Sequence, residues 1–275
     1  MVSVARAAAP RSDPPFQMPR LVTGVTLLMT ATVNPPPGSP ALTPRDPAGR
    51  MGDYLQTLGF YLGLLGTTIR GLVFAEGSGS DLGPLRRLAR ECSRAAEVEF
   101  VSVPAAGHPA TYGRAYEEFA LVDHVMRASP LIRALEPDDK VWKVTGRCRV
   151  TNLPELVARA PARYDVYCYV RNWPTRSLDL NLIGWSVHGY DTALGGIYRE
   201  LREDRLAEAP QVHARTLLDA LDPSVRVVRR HATEPRIEVI GAGVPRRPRR
   251  AARRRPSLRV PVRRVVPRIR PWAWA

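Results

Sequence analysis

The chain has 275 residues, 44% of them hydrophobic, and a formal net charge of +15; that is enough apolar material to bury one good core. The charge resembles a nucleic-acid signature until it is located: residues 243–275 hold twelve arginines and no acids, which leaves about +3 for everything before them. The body is therefore a mildly basic globule, and the basicity belongs to a tail. Cys92, Cys148 and Cys168 lie far apart without CxxC spacing, which argues against a zinc site or a disulfide framework and fits a reducing, cytosolic setting.

Residues 1–19, rich in Ala, Pro and Arg with no apolar run, read as a disordered leader, and Met18 is an alternative start. Residues 21–33 (LVTGVTLLMTATV) are too few to span a bilayer, and their Thr and Gly content suits a buried strand. That strand stops at Thr32 and Asn34 before a proline-rich loop, as strands do at the carboxyl edge of a parallel sheet, where open α/β folds put ligands. Thr32 and Asn34 are therefore binding candidates, although ordinary strand-end hydrogen bonding also accounts for them.

Residues 50–65 carry Met51, Tyr54, Leu55, Leu58, Tyr61, Leu62 and Leu65 at helical spacing, a thick apolar stripe that must pack on a sheet. Residues 71–76 (GLVFAE) form a short buried strand ending at Glu76, followed by Gly77-Ser78-Gly79-Ser80-Asp81 and a helix over 82–95. A strand, a Gly/Ser turn and a helix can present backbone N–H groups to an anion, which makes Ser78 and Gly79 candidates. The spacing is neither GxGxxG nor a Walker loop, and Ser80 or Asp81 as a plain N-cap explains much of it.

Residues 98–103 alternate as a third strand, and Tyr112-Gly113-Arg114 lead into a helix over 115–127 whose core face is Tyr116, Phe119, Val122 and Met126. Glu117 and Glu118 fall in its expected first turn, where the helix dipole favours carboxylates for purely structural reasons. His124, alone on the same helix, is of a kind more often packed or solvated than catalytic.

Residues 140–152 (KVWKVTGRCRVTN) form the stretch that organises the chain. It reads as the fourth strand, β-rich and broken at Thr145-Gly146-Arg147. Lys143, Thr145 and Arg147 stand two apart, so an extended backbone puts them on one face as a cationic, hydroxyl-bearing cluster. A short helix over 153–159 and a strand over 164–170 follow, then a loop with Asp179. Helical patterns cover 194–205 and 213–221, and short strands cover 225–228 and 237–240. Strand and helix in alternation call for one α/β domain over 20–242, a mainly parallel twisted sheet with helices on both faces.

The pieces TATVNP, RDPAGRMGDYLQTLGFYL, FAEGSGSDL, YGRAYEE and above all WKVTGRCRVTN resemble a bacterial glycosyltransferase-like family of cell-surface polysaccharide synthesis, over about residues 21–243. The resemblance implies a Rossmann-like, GT-A-like fold, a nucleotide-sugar donor and a glycan or lipid-linked acceptor. Such enzymes usually hold a divalent metal through Asp-x-Asp; this chain has no such motif, so Mg2+ or Mn2+ is left open, and cationic side chains could neutralise the leaving diphosphate instead. Cys148 also stands where an aromatic or large apolar residue is expected after the TGR triplet.

Transfer from such a donor needs donors aimed at the departing diphosphate and a base for the acceptor hydroxyl. Arg147 and Lys143 are expected to face the diphosphate, arginine because its planar fork matches phosphate oxygens, with Thr145 donating a hydrogen bond. Gly146, Asn152, Tyr112 and Gly113 join the substrate-contact set. Glu117 and Asp179 are the candidate bases, with Glu76 a third. The tail reads either as a disordered basic segment or as a peripheral contact with an anionic inner leaflet. A nucleic-acid-binding protein acting through those arginines is the rival reading, but the body has no pattern for specific nucleic acid. An inactive sugar-binding relative is the third.

Overall fold

The computed structural model describes residues 24–35, 46–105 and 107–241; the leader, Arg45 and the basic tail lie outside the described residues. The elements follow in order as β1 (Val25–Ala31), α1 (Pro47–Leu62), β2 (Ile69–Glu76), α2 (Gly83–Glu91), β3 (Val98–Ser102), α3 (Gly113–Ala128), α4 (Pro130–Arg133), β4 (Lys140–Thr145), β5 (Cys148–Val150) and α5 (Leu153–Ala158). Then come β6 (Val166–Tyr167), β7 (Val170–Arg171), β8 (Ser177–Leu178), β9 (Leu182–Ser186), α6 (Val187–Gly189), α7 (Pro210–Asp219), β10 (Val227–Val228) and β11 (Ile237–Val239).

Among the described residues seven strands form the central sheet, in the order β10-β6-β9-β4-β1-β2-β3. The neighbours of β1 and β2 pair in parallel, and β9 runs against both β4 and β6. The mainly parallel, helix-covered sheet is the architecture expected from the alternating pattern and from the GT-A resemblance.

Strand alternation sorts side chains to the two faces. Leu27 and Met29 of β1, Phe74 of β2, and Trp142 and Val144 of β4 pack with Tyr54, Leu58 and Tyr61 of α1 and Leu85 of α2. Leu28, Val73 and Val141 pack the other way, with Phe119, Val122 and Val125 of α3 and Leu218 of α7. The helical stripes read from the sequence on α1 and α3 thus bury against opposite faces.

Three expectations fail. The run 140–152 is not one strand: β4 ends at Thr145, and β5 pairs instead with β11 in a separate ribbon. The break is at Gly146, whose N–H donates to the Thr30 carbonyl at 2.8 Å; a Cβ there would sit 2.3 Å from that oxygen. The helix expected over 194–205 is replaced by short 3-10 turns at Ile197–Glu200 and Glu203–Arg205. This stretch is held from outside itself: Asp123 accepts from Gly196 N–H at 2.9 Å, and Glu203 reaches to α3. The strand expected over 164–170 is also divided, into β6 and β7; before β6, the Asp165 carbonyl accepts from Ser186 N–H and its side chain from Arg226 N–H.

Candidate functional site

A cleft of about 340 Å³ opens at the carboxyl edges of β1, β2 and β4, where α/β sheets of this kind take ligands. Its floor is the end of β1, from Thr30 to Thr32, with Thr145 and Arg147 beside it; Arg50 and Tyr54 of α1 form one wall, and Arg114, Glu117, Glu118, Leu121 and His124 of α3 form the other. The α3 residues 114, 117, 121 and 124 recur at helical spacing on the stripe beside the core face. The polar residues on and beside that stripe were present in the sequence and are the signal by which Arg114, Glu118 and His124 could have been found.

At the sheet end nearest α3, the Glu118 carboxylate is held from below. Its Oε1 accepts from Lys143 Nζ at 2.6 Å, Thr30 Oγ1 at 2.6 Å and Thr145 Oγ1 at 2.8 Å. Lys143 Nζ also donates to the Leu180 carbonyl at 2.6 Å. Burial is the largest influence on Glu118 and pushes its pKa up, but the Lys143 charge and the three hydrogen bonds together hold it below the ordinary carboxylate range. The Lys143 side chain is 0% exposed while that of Glu118 is 22% exposed. Lys143 therefore cannot touch a diphosphate, contrary to its expected role; it fixes Glu118, which does reach the cleft.

Arg147 leaves in the other direction. The chain turns at Gly146, so Arg147 does not share a face with Lys143 and Thr145; its Nη1 lies 3.3 Å from Asp53 Oδ2 on the α1 side. Arg50 donates from Nε to the Thr32 carbonyl at 2.7 Å and from Nη2 to Tyr54 Oη at 3.0 Å, and Tyr54 Oη accepts from Thr32 N–H at 2.9 Å. Burial lowers the Arg50 pKa, Tyr54 partly offsets it, and the charges of Arg147 and then Arg114 lower it further. The three guanidiniums of Arg50, Arg114 and Arg147 thus line one cleft.

Glu117 lies beside them, half-buried, and burial raises its pKa; Arg114 opposes that and Glu203 adds to it. The structure starts α3 at Gly113, so Glu117 and Glu118 fall beyond the first turn. The N-terminal position is taken by Glu203, whose Oε1 accepts from Arg114 N–H at 2.9 Å, and Gly113 has φ +83° with a Cβ position that would lie 2.1 Å from the Glu203 side chain. Gly113 thus makes room for a cap and not for a ligand. Tyr112 packs at the same corner, under the Arg202 guanidinium at 3.6 Å.

Several expected contacts are structural. The Glu76 carboxylate, fully buried, accepts from Val33 N–H at 2.9 Å, Ser78 N–H at 3.0 Å, Ser80 N–H at 2.9 Å and the Ser78 hydroxyl. The Gly/Ser turn therefore spends its N–H groups on its own glutamate instead of on an anion, and Glu76 is no base. Ser78 Oγ also receives the Asn34 N–H at 2.9 Å, and a Cβ on Gly79 would lie 3.4 Å from Pro104; this knot braces the loop below the cleft. Asn152 ties down the C-terminal segment, donating to the Glu234 carbonyl at 3.0 Å and accepting from Arg236 N–H at 2.8 Å. Asp179 is occupied by Asn181, through N and Nδ2 at 2.9 Å each, and Asn181 rather than Asp179 lines the cleft.

Among the described residues the cleft's carboxylates are Glu117 and Glu118, set among Arg50, Arg114 and Arg147, and no group of three His, Cys, Asp or Glu side chains could hold a metal ion. That donor set does not fit a divalent cation. Burial pushes the Cys148 thiol up to about 11, so it is no thiolate nucleophile. Among the described residues no helix is long and apolar enough to cross a membrane.

No family model matches the chain, and no curated protein matches its sequence. Among solved structures it is similar to a protein of Desulfovibrio desulfuricans G20 described as a nucleotide-diphospho-sugar transferase (TM-score 0.43, 14% identity, 74% of this chain and 78% of that one). It is also similar to the galactosyltransferase LgtC in complex with donor and acceptor sugar analogues (TM-score 0.40, 10% identity, 70% of each chain). A third match is a cytidylyltransferase from Leptospira borgpetersenii (TM-score 0.39, 11% identity, 77% of this chain and 76% of that one). Likeness at this level says nothing of the reaction, which has to be argued from the cleft.

Proposed function

We propose that the chain is a nucleotide-sugar-dependent glycosyltransferase acting on a cell-surface glycan or lipid-linked acceptor. The observation that carries this reading is the convergence of Arg50, Arg114 and Arg147 on one cleft that also holds two carboxylates. The guanidiniums bind the diphosphate of the donor and neutralise the charge that develops as the nucleoside diphosphate leaves. Thr32, at the first strand's end, and Thr145 offer hydrogen bonds from the floor. The sugar's anomeric carbon then lies toward α3, where Glu117 takes the proton of the incoming acceptor hydroxyl.

A raised carboxylate pKa suits that role, since a stronger base is still ionised near neutral pH. The reaction breaks the anomeric carbon to phosphate-oxygen bond, forms the bond to the acceptor oxygen, and puts the acceptor's proton on Glu117. Glu118, anchored through one oxygen to Lys143, Thr30 and Thr145, holds the α3 wall against the sheet end.

A panel of nucleotide sugars, screened for binding and for slow hydrolysis with and without manganese, tests the proposal directly. One donor should bind and hydrolyse, and replacement of Glu117 by Gln should lower turnover about 100-fold while leaving donor affinity nearly unchanged. In the wild type the rate should rise with pH through a carboxylate displaced upward from 4.5, and the variant should lose that limb. Absence of binding to every donor ends the proposal, and binding without hydrolysis or transfer marks an inactive sugar-binding protein instead.

A further inference from the structure

Among the described residues two large hydrophobic side chains are exposed, Trp173 at 64% and Val239 at 50%. Val239 lines the cleft. Trp173 sits at the tip of the hairpin formed by β7 and β8, directly after β6. Because β9 runs antiparallel to both β4 and β6, β6 points the same way as β4, and its hairpin leaves from the edge where the cleft opens. Both exposed apolar side chains thus crown one edge of the molecule.

Arginines lie on and beside the hairpin that carries the indole. Arg176, Arg215 and Arg229 all reach Asp219, at 2.9, 2.8 and 3.4 Å, and Arg171 lies 4.0 Å from Asp179. Four guanidiniums share two carboxylates, which leaves the patch positive. Arg176 also ties the hairpin to α7, so the tip is braced against the body and Trp173 is held outward.

We infer that this edge docks onto an anionic lipid surface, with the Trp173 indole among the headgroups and Arg171, Arg176 and Arg229 facing their phosphates. An indole is both apolar and a hydrogen-bond donor and prefers the membrane interface, and clustered cations add attraction to anionic lipid that fades with salt. A protein partner fits less well, because a stable protein interface needs several hundred Å² per side around a buried core, and this patch offers one indole in a charged rim. The docked orientation turns the cleft mouth toward the surface. The inference stands on the hairpin alone and does not depend on the donor reading.

The test uses the full chain with vesicles of phosphatidylcholine, with or without phosphatidylglycerol. The wild type should partition onto the anionic vesicles, with slowed amide exchange over 170–178 in the bound state. Trp173→Ala should reduce partitioning about tenfold with an unchanged circular dichroism spectrum, and Trp173→Tyr should retain most of it. Binding by the arginines of residues 243–275 alone would leave Trp173→Ala equal to wild type and residues 170–178 unprotected; that pair of results overturns the inference. So does partitioning that is equally strong on pure phosphatidylcholine.

Discussion

Two ion pairs flank the end of β4, and they are built for different purposes. On the α3 side Lys143 is sealed from solvent and its partner Glu118 has every donor on one oxygen. On the α1 side Arg147 and Asp53 are 13% and 11% exposed and sit farther apart, at 3.3 Å. A charge taken wholly out of water is tolerable only while its partner and hydrogen bonds remain, whereas a guanidinium at a cleft wall can exchange part of its contacts for a ligand. The first pair therefore braces the end of the sheet, and Arg147 of the second lines the cleft.

The largest effect should come from breaking the sealed pair. Lys143→Met leaves Glu118 and two hydroxyls without their cation and should lower stability by roughly 2–4 kcal/mol in urea unfolding, the lower figure reflecting the partial exposure of Glu118. Adding Glu118→Gln should recover a substantial part. Equal stability of the Lys143→Met single variant and wild type would show that the pair is not what secures this end of the sheet.

Arg147→Ala should behave in the opposite way. Donor affinity should fall by about 30-fold or more, from loss of a charge-assisted contact on the order of 2 kcal/mol, with a stability change of only about 1 kcal/mol. Arg147→Lys should restore little, since an ammonium lacks the planar fork. If the Arg147 variant loses stability but binds its donor normally, the contrast between the two pairs is reversed.

Acid sharpens the same contrast. The folded Glu118 pKa lies below its ordinary value of 4.5, so its contribution is present above that value and is lost as the pH falls through and below it. The midpoint of thermal unfolding should drop over that range, and the drop should be shallower in Lys143→Met/Glu118→Gln than in wild type. The smallest effect belongs to Thr145→Val, which removes one of three donors to Glu118 and should cost about 1 kcal/mol; an unchanged midpoint would mean the remaining two donors suffice.

Much of the fold was legible because its signals are local. Alternating residues in 25–31 and 140–145 separate into the two cores, and the stripes on residues 54–62 and 116–126 fit helices against them. The site was less legible. Glu117 and Glu118 are neighbours in a helix and indistinguishable by spacing, yet only Glu118 meets the hydroxyl of Thr30, 88 positions away. Arg50 showed no sign beyond its place at a helix start, and Glu76 resembled a candidate base until its oxygens were found filled by its own loop.

The sequence alone determined the class of the fold, its strand and helix alternation, and the separation of a mildly basic body from a strongly basic tail, because periodicity and composition are properties of short stretches. Tertiary structure decided which polar groups face the cleft. The cleft is assembled from residues near 30, 50, 114–118 and 147, and whether a charge is sealed, as at Lys143, or presented, as at Arg147, depends on what other elements place over it. The turn at Gly146, forced by the close passage of the Thr30 carbonyl, sends those two cations to opposite sides of one strand end.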